Sequence, residues 1–375
     1  MLYKQREKLE KVSTYQQAKT IEQIKQEYKQ EKVLKLAGNE NTMGVSPLVK
    51  EAIKSAENEL FLYPDAKCQL LREALSNLYN VQENQLIFGN GSFELITLIG
   101  QTFIEEGDVS LIPSPSFGWY KNVTLTSGGT PLFIPLAHHK VALLDIKEAI
   151  TPRTKVIWLC NPNNPTGTHF SHEELENFLN NIRKDIVVVL DEAYYEYAAG
   201  GDYPNSVDII QKYSNVIILR TFSKVYGLAS LRIGYGIGNQ EMISMLDKVR
   251  IPVNINKLAQ VAAYASLQDE EFKRNCLENN AEGLAFYEQQ CREEGWEYIP
   301  SKTNFITMNV HYDAKKVVEE LLKRGISIRP GADFGMDDWI RITIGREAEN
   351  QFVVRSIKEI IRKFKHNRSV EDASI

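Results

Sequence analysis

Four short apolar runs constrain this chain more than anything else in it: Val109–Ile112, Lys155–Leu159 (KVIWL), Ile186–Leu190 (IVVVL) and Val216–Arg220 (VIILR). They are rich in β-branched residues and too short for ordinary helices, and polar or helix-like text separates them. That is the pattern of strands buried on both faces of a largely parallel sheet. Gln85–Phe88, Pro131–Pro135 and Arg232–Ile237 read as further strands, and the first run is expected to stop at Pro113. The implied class is α/β. In open sheets of this class ligands bind beyond the carboxyl ends of the strands, so the residues placed there decide function.

Those ends are rich in chemistry. Gly89, Asn90, Gly91 and Ser92 follow a strand and precede a helix-like run, Phe93–Phe103. Such a turn is either an anion cradle, with free N–H groups and the helix dipole behind them, or simply a tight turn; no Gly-Lys-Ser/Thr follows to make it a Walker loop. Cys160–Gly167 (CNPNNPTG) is a loop fixed by prolines and asparagines, and Asp191, Glu192, Ala193 and Tyr194 close the next strand. The aspartate is a turn former or a functional charge; without an upstream phosphate loop a helicase reading of Asp-Glu-Ala fails. The last strand delivers LRTFSKVYGLASLRIG, in which Thr221 and Ser223 flank Lys224 and Arg232 follows. Hydroxyls and an arginine around a lysine look like a phosphate cradle beside a nucleophilic amine. A cofactor carrying both an aldehyde and a phosphate, pyridoxal 5′-phosphate, would suit that pair.

The chain has 375 residues, enough for two domains, and a formal net charge of −5 with Lys and Arg spread throughout, which argues against a nucleic-acid surface. Cys68, Cys160, Cys276 and Cys291 form no CxxC pair, the polar first thirty residues do not read as a signal peptide, and no apolar run of about 18 residues occurs, so a cytoplasmic protein without a membrane span is expected. His169 and His172 have a metal-like spacing but no further ligand cluster, and no metal is expected. After Val253 the texture changes: a long polar helix, Glu270–Glu293, suited to linking two domains, leads to strand Asn304–Asn309, helix Ala314–Arg324, strands Ile326–Arg329 and Trp339–Ile344, and helix Ala348–Phe364. The division read from this is an N-terminal arm, 1–40, helix-like over Tyr15–Lys35; a large domain, 41–255; a small α+β domain with its linking helix, 256–365; and a mobile tail, 366–375.

Taken together, the segments VSTYQQAK, KLAGNEN, LYPD, FGNGS, PSPSFGWY, NPNNPTG, VVLDEAYYEY, ILRTFSKVYGLASLRIGYG, PSKTNF, RGISIRP and IRITIG resemble the fold-type-I, pyridoxal-phosphate-dependent aminotransferases, and more narrowly their histidinol-phosphate branch. The resemblance spans roughly Tyr15 to Lys363. It implies a seven-stranded, mostly parallel sheet between helices plus a small α+β domain. It also implies pyridoxal 5′-phosphate as cofactor, held covalently by Lys224, with Asp191 paired to the pyridine nitrogen, Tyr194 and Asn164 on the ring oxygen and Phe117 stacked on the ring. Gly91, Ser92, Thr221, Ser223 and Arg232 would hold the phosphate. Tyr63 would reach the phosphate in a neighbouring subunit, which implies a homodimer with shared active sites. On the substrate side the resemblance places Arg341 on the α-carboxylate, Arg329 and Tyr15 near the far end, and Asn41 in the pocket.

The implied reaction moves an amino group from a small-molecule donor to a 2-oxo acid, with histidinol phosphate and 2-oxoglutarate as the pair. An aromatic amino acid aminotransferase, a same-fold decarboxylase and a non-catalytic cofactor-binding module are the alternatives. Three positions depart from the family pattern: Phe93 where an acid is common, Thr42-Met43 where a proline and an aromatic are common, and Ser230 in GLASLR. Phe117, Trp119 and Tyr120 supply an aromatic wall that would suit an imidazole or a benzene ring equally.

Overall fold

The computed structural model describes residues 7–12, 14 and 18–372, with side chains described to residue 366. Tyr15 lies outside the described residues.

The N-terminal segment is not the continuous helix expected. Thr20 and Gln23 form a capping box that starts helix Ile21–Tyr28, and Lys29 ends it in the left-handed conformation. The chain then forms β1 (Leu34–Lys35), whose parallel partner is β11 (Ile326–Ser327), and Leu36 is fully buried. The partner strand is remote in sequence, so local periodicity carries no sign of this pairing. Helix Pro47–Ala56 begins as predicted, with Ser46 accepting from Leu48 N at 3.0 Å and proline in the first turn.

The large sheet contains β2 (Leu86–Gly89), β3 (Val109–Ser114), β4 (Thr130–Pro135), β5 (Thr154–Cys160), β6 (Val187–Asp191), β7 (Val216–Thr221) and β8 (Gly234–Gly238). Their spatial order is β2-β8-β7-β6-β5-β3-β4, and β8 is antiparallel to both its neighbours while the other pairings are parallel. Six strands therefore point one way, and the start of β8 lies at the same edge as their carboxyl ends. Val156, Ile157, Trp158 and Leu159 are all fully buried. They alternate between two apolar clusters, Ile157 and Leu159 on one face with Val188, Leu190 and Ile218, and Val156 and Trp158 on the other with Val189 and Leu219. Burial on both faces is why these strands read as unbroken apolar runs. β3 runs through Pro113 to Ser114, past its expected end. Its pairing with β5 stops at Leu111–Ile157 while that with β4 continues to Ser114–Pro135, so the proline sits where the strand has one neighbour only.

Helix Glu270–Glu294 places Cys276 in the first of these cores and Tyr287 and Cys291 in a third cluster, formed around a second sheet. That sheet is antiparallel, in the order β12 (Arg329–Pro330), β13 (Ile340–Thr343), β10 (Phe305–Asn309), β9 (Glu297–Ile299). The single strand expected over Ile326–Arg329 is thus two short ones in different sheets. The last helix spans Glu347–Asp372, beyond the expected end at Phe364. Among the described residues no helix is long and apolar enough to cross a membrane.

Candidate active site

The carboxyl-end edge of the large sheet brings the singled-out loops together. After β2, Gly91 turns with φ +72° into helix Ser92–Phe103, whose N-cap has no side-chain cap, so the helix end presents backbone donors to an anion. Arg232, itself left-handed at φ +56°, donates through Nη1 to Ala229 O at 2.9 Å. A Cβ added to Gly91 would collide with Arg232 Nη2, so the absence of a side chain is what lets the guanidinium approach the turn. Ser223 N donates to Thr221 Oγ1 at 3.1 Å, and the two hydroxyls lie 2.9 Å apart. A phosphate fits this set: a helix N-terminus, two hydroxyls and a guanidinium.

β6 ends on Asp191, which is 3% exposed. Its Oδ2 accepts from the Tyr120 hydroxyl at 2.7 Å and its Oδ1 from Ala193 N at 3.2 Å. Burial pushes the carboxyl from 3.8 up to about 6, against the lowering effect of the Tyr120 hydrogen bond. Tyr120 is fully buried and stacked on Trp158 at 5.1 Å, so the carboxylate is held by a rigid donor. A protonated pyridine nitrogen fits such a group, since it would supply the cation that makes the buried charge affordable.

Tyr194 is buried and its hydroxyl accepts from Asn39 Nδ2 at 2.9 Å; its ring meets Phe305 edge-on at 5.3 Å. Lys224, half-buried, places Nζ 5.3 Å from the Tyr194 ring centroid and 3.5 Å from Gly38 O. Burial, with the Arg341 and Arg232 guanidinium groups, lowers its amine from 10.5 to about 8, with Glu40 acting in the opposite sense. Phe117 packs edge-on to Phe93 at 5.0 Å and to Tyr120 at 5.4 Å. The departure at Phe93 thus braces the aromatic wall, while the neighbouring Glu94 accepts from Asn90 N and, at 2.8 Å, from Asn254 Nδ2.

The second sheet meets this edge through Arg341, 5% exposed, which donates to Asn164 Oδ1 at 2.5 Å and to Ala37 O at 3.2 Å. Arg329 pairs with Asp333 at 2.9 Å. Two predicted residues stand apart. Asn41 donates to Val225 O at 2.6 Å and to Cys276 Sγ at 3.2 Å and accepts from Met43 N at 2.9 Å, so its amide is used inside the chain. Tyr63 is 93% exposed on an apolar row with Leu60, Phe61 and Leu62. Of the other departures, Thr42 donates to Ile344 O at 3.3 Å, Met43 packs on the first core and Ser230 is exposed. His169 lies 3.0 Å from Asp202, and His172 accepts from Asn205 N at 3.2 Å; among the described residues no group of three or more His, Cys, Asp or Glu side chains could hold a metal.

Sequence reasoning missed Asn39, one of two asparagines in a single loop, and the bond from Tyr120 to Asp191. It also passed over Glu192 and Arg220, whose charges at the ends of apolar strands were the available signal.

The family model for class I and II aminotransferases matches residues 31–357. A histidinol-phosphate aminotransferase of Caldicellulosiruptor saccharolyticus is 44% identical over 356 residues, 95% of this chain and 99% of the relative. One from Anoxybacillus flavithermus is 41% identical over 363 residues, 96% and 97% of the two chains. Among solved structures, the histidinol-phosphate aminotransferase of Sinorhizobium meliloti in complex with pyridoxal-5′-phosphate superposes with a TM-score of 0.88 at 25% identity, covering 96% of this chain and 97% of the other.

Proposed function

Because the chain belongs to the class I and II aminotransferases, and so is a pyridoxal-phosphate-dependent enzyme, we propose that its substrates are histidinol phosphate and 2-oxoglutarate, in a step of histidine biosynthesis. The observation that carries the substrate assignment is the pair Arg329 and Arg341, which face each other on adjacent antiparallel strands beside Asn164. A dianionic phosphate on the donor and the two carboxylates of 2-oxoglutarate suit two such cations better than substrates with a single carboxylate would. The names of the relatives support the same reading.

Pyridoxal phosphate, when bound, supplies an aldehyde for amines and an electron-withdrawing ring that makes the α-proton of an amino compound removable. The chain's own residues do the rest. Lys224, with its amine lowered to about 8, would hold the aldehyde carbon until a substrate amine replaces it, and its freed Nζ would then carry the proton from the substrate α-carbon to that same carbon. Asp191, fixed by Tyr120, would pair its negative charge with the ring nitrogen. Tyr194 and Asn164 would hold the ring oxygen, Phe117 would pack on the ring, and Gly91, Ser92, Thr221, Ser223 and Arg232 would hold the phosphate. Arg341 clamps an α-carboxylate, as on the acceptor, and Arg329, with Tyr15, holds the distal phosphate of the donor. Asn41 orders the loop that carries Asn39 and Glu40.

The enzyme works as a homodimer with shared sites. The exposed row Leu60–Tyr63 supports this, since it is the kind of apolar face a second copy would cover and Tyr63 points its phenol away from its own chain. Its setting is the cytoplasm, in keeping with four cysteines that are all free and buried.

The test is a half-reaction screen of single amino donors, following the visible absorbance as the bound cofactor is converted to its amine form. Histidinol phosphate is expected to react far faster than phenylalanine. Failure of histidinol phosphate with success of phenylalanine would reject the substrate assignment while leaving the enzyme class intact.

A further inference from the structure

Asp191 and Glu192 are consecutive, and so are Arg220 and Thr221. Successive strand residues face opposite sides of a sheet, so Asp191 and Thr221 turn toward the site while Glu192 and Arg220 meet on its far side. There they form an ion pair, each side chain 1% exposed, with Arg220 Nη2 2.8 Å and Nε 2.9 Å from Glu192 Oε2. The other carboxylate oxygen, Oε1, accepts from the Tyr203 hydroxyl at 3.2 Å and from Ser206 Oγ. The same Tyr203 hydroxyl lies 2.5 Å from Asn161 O, in the loop that carries Asn164. The Arg220 guanidinium carbon lies 3.4 Å from the ring centroid of Tyr195, the neighbour of Tyr194.

One buried pair is therefore tied to the loop after β5, the turn after β6 and the end of β7. Each of these presents a residue to the cofactor. Stability alone does not account for such a pair, because well-packed apolar side chains of similar volume commonly serve a core as well or better. What an ion pair with fixed hydrogen bonds adds is a single geometry. Resting on the assignment of pyridoxal phosphate to this site, we propose that Arg220 and Glu192 are positioning residues, which set the spacing of Asn164, Asp191 and Thr221 from behind the sheet.

The experiment compares the double variant Glu192→Gln/Arg220→Met, which leaves no unpaired charge, with Leu321→Ala, a large-to-small change of a fully buried residue in the third cluster, around the second sheet. Three quantities are read: thermal unfolding of the cofactor-free protein, the dissociation constant of pyridoxal phosphate, and the pH midpoint of the bound cofactor's visible absorbance. The double variant is expected to bind the cofactor at least tenfold more weakly and to shift the absorbance midpoint, whatever its unfolding temperature. Leu321→Ala is expected to unfold earlier with both cofactor readouts unchanged. Wild-type affinity and midpoint in the double variant would overturn the proposal, as would equal losses in Leu321→Ala. Should the double variant fail to fold, Tyr203→Phe removes only the hydroxyl that joins Glu192 to Asn161; about threefold weaker cofactor binding is expected, and unchanged binding would overturn the proposal. Wild-type protein that never acquires the visible absorbance would instead reject the cofactor assignment on which the proposal rests.

Discussion

Arg329 and Arg341 are register partners on antiparallel β12 and β13, and their guanidinium carbons lie 5.4 and 4.5 Å from the centroid of the same ring, Phe334. Like charges directly opposite on neighbouring strands are unfavourable, so the fold must offset them. Asp333 and the Phe334 face do part of this for Arg329, and Asn164 with Ala37 O does it for Arg341. An anionic substrate would complete the compensation. Hydrogen bonds to charged groups contribute roughly 1.5–3 kcal/mol, or about ten- to a hundredfold in affinity. Arg329→Ala is expected to lower kcat/KM for histidinol phosphate by that factor and for phenylalanine by no more than about threefold. Steady-state kinetics with both donors checks it, and equal losses would exclude a role at the distal phosphate.

Lys224 titrates lower than ordinary lysines because it is desolvated and faces Arg341 and Arg232. The sign of the effect is fixed by that depression. Between pH 8 and 10.5 the unfolded chain holds a proton the folded chain has lost, so the cofactor-free protein gains stability as pH rises through this window. The neutral amine is also the one that attaches to an aldehyde. The rate at which cofactor-free protein takes up pyridoxal phosphate is expected to rise with a midpoint near pH 8. Arg341→Met should move that midpoint upward, and Lys224→Ala should abolish both attachment and turnover. A midpoint near 10 in the wild type would contradict the burial and charge environment described for this amine.

Much of the edge that carries the site was legible because strands buried on both faces write unbroken apolar runs, and the loops after them keep their polar residues. Lys224, Asp191, Gly91 and Arg232 were found that way, and the structure brings them to one edge. What was not legible depends on partners far along the chain. Leu34–Lys35 reads as the tail of a helix until Ile326–Ser327 is brought beside it, and Asn39 cannot be told from Asn41 until Tyr194 arrives over one of them. Glu192 and Arg220 read as ordinary strand-end charges because nothing local shows that both are buried.

Gly91→Ala tests the phosphate cradle. The new methyl group would meet Arg232 Nη2, and the positive φ at this position adds backbone strain of about 1–3 kcal/mol for a residue with a side chain. Displacement of the guanidinium removes one charge-assisted contact to the phosphate. Pyridoxal phosphate is expected to bind about ten- to a hundredfold more weakly, in line with one such bond, while pyridoxal, which has no phosphate, should bind as to the wild type. Competition by inorganic phosphate should weaken in parallel, and equal loss of pyridoxal and its phosphate would argue that the variant damages the ring site instead.

Asp191→Asn separates stability from cofactor binding. In the cofactor-free protein the buried carboxyl is raised from 3.8 to about 6, so between these values the folded state keeps a proton that the unfolded state has lost. Stability therefore falls as pH rises through that window and remains lower above it. A shift of this size, in which the opposing Tyr120 hydrogen bond is already counted, corresponds to about 3 kcal/mol at roughly 1.4 kcal/mol per pKa unit. Denaturant unfolding of the cofactor-free proteins at pH 8 is expected to find the asparagine variant more stable by about 2–3 kcal/mol, with little difference below pH 4. Affinity for pyridoxal phosphate should move the other way, falling at least tenfold, because a neutral amide gives the cationic ring no counter-charge. A variant that lost stability and affinity together at pH 8 would show that Asp191 serves the fold rather than the cofactor.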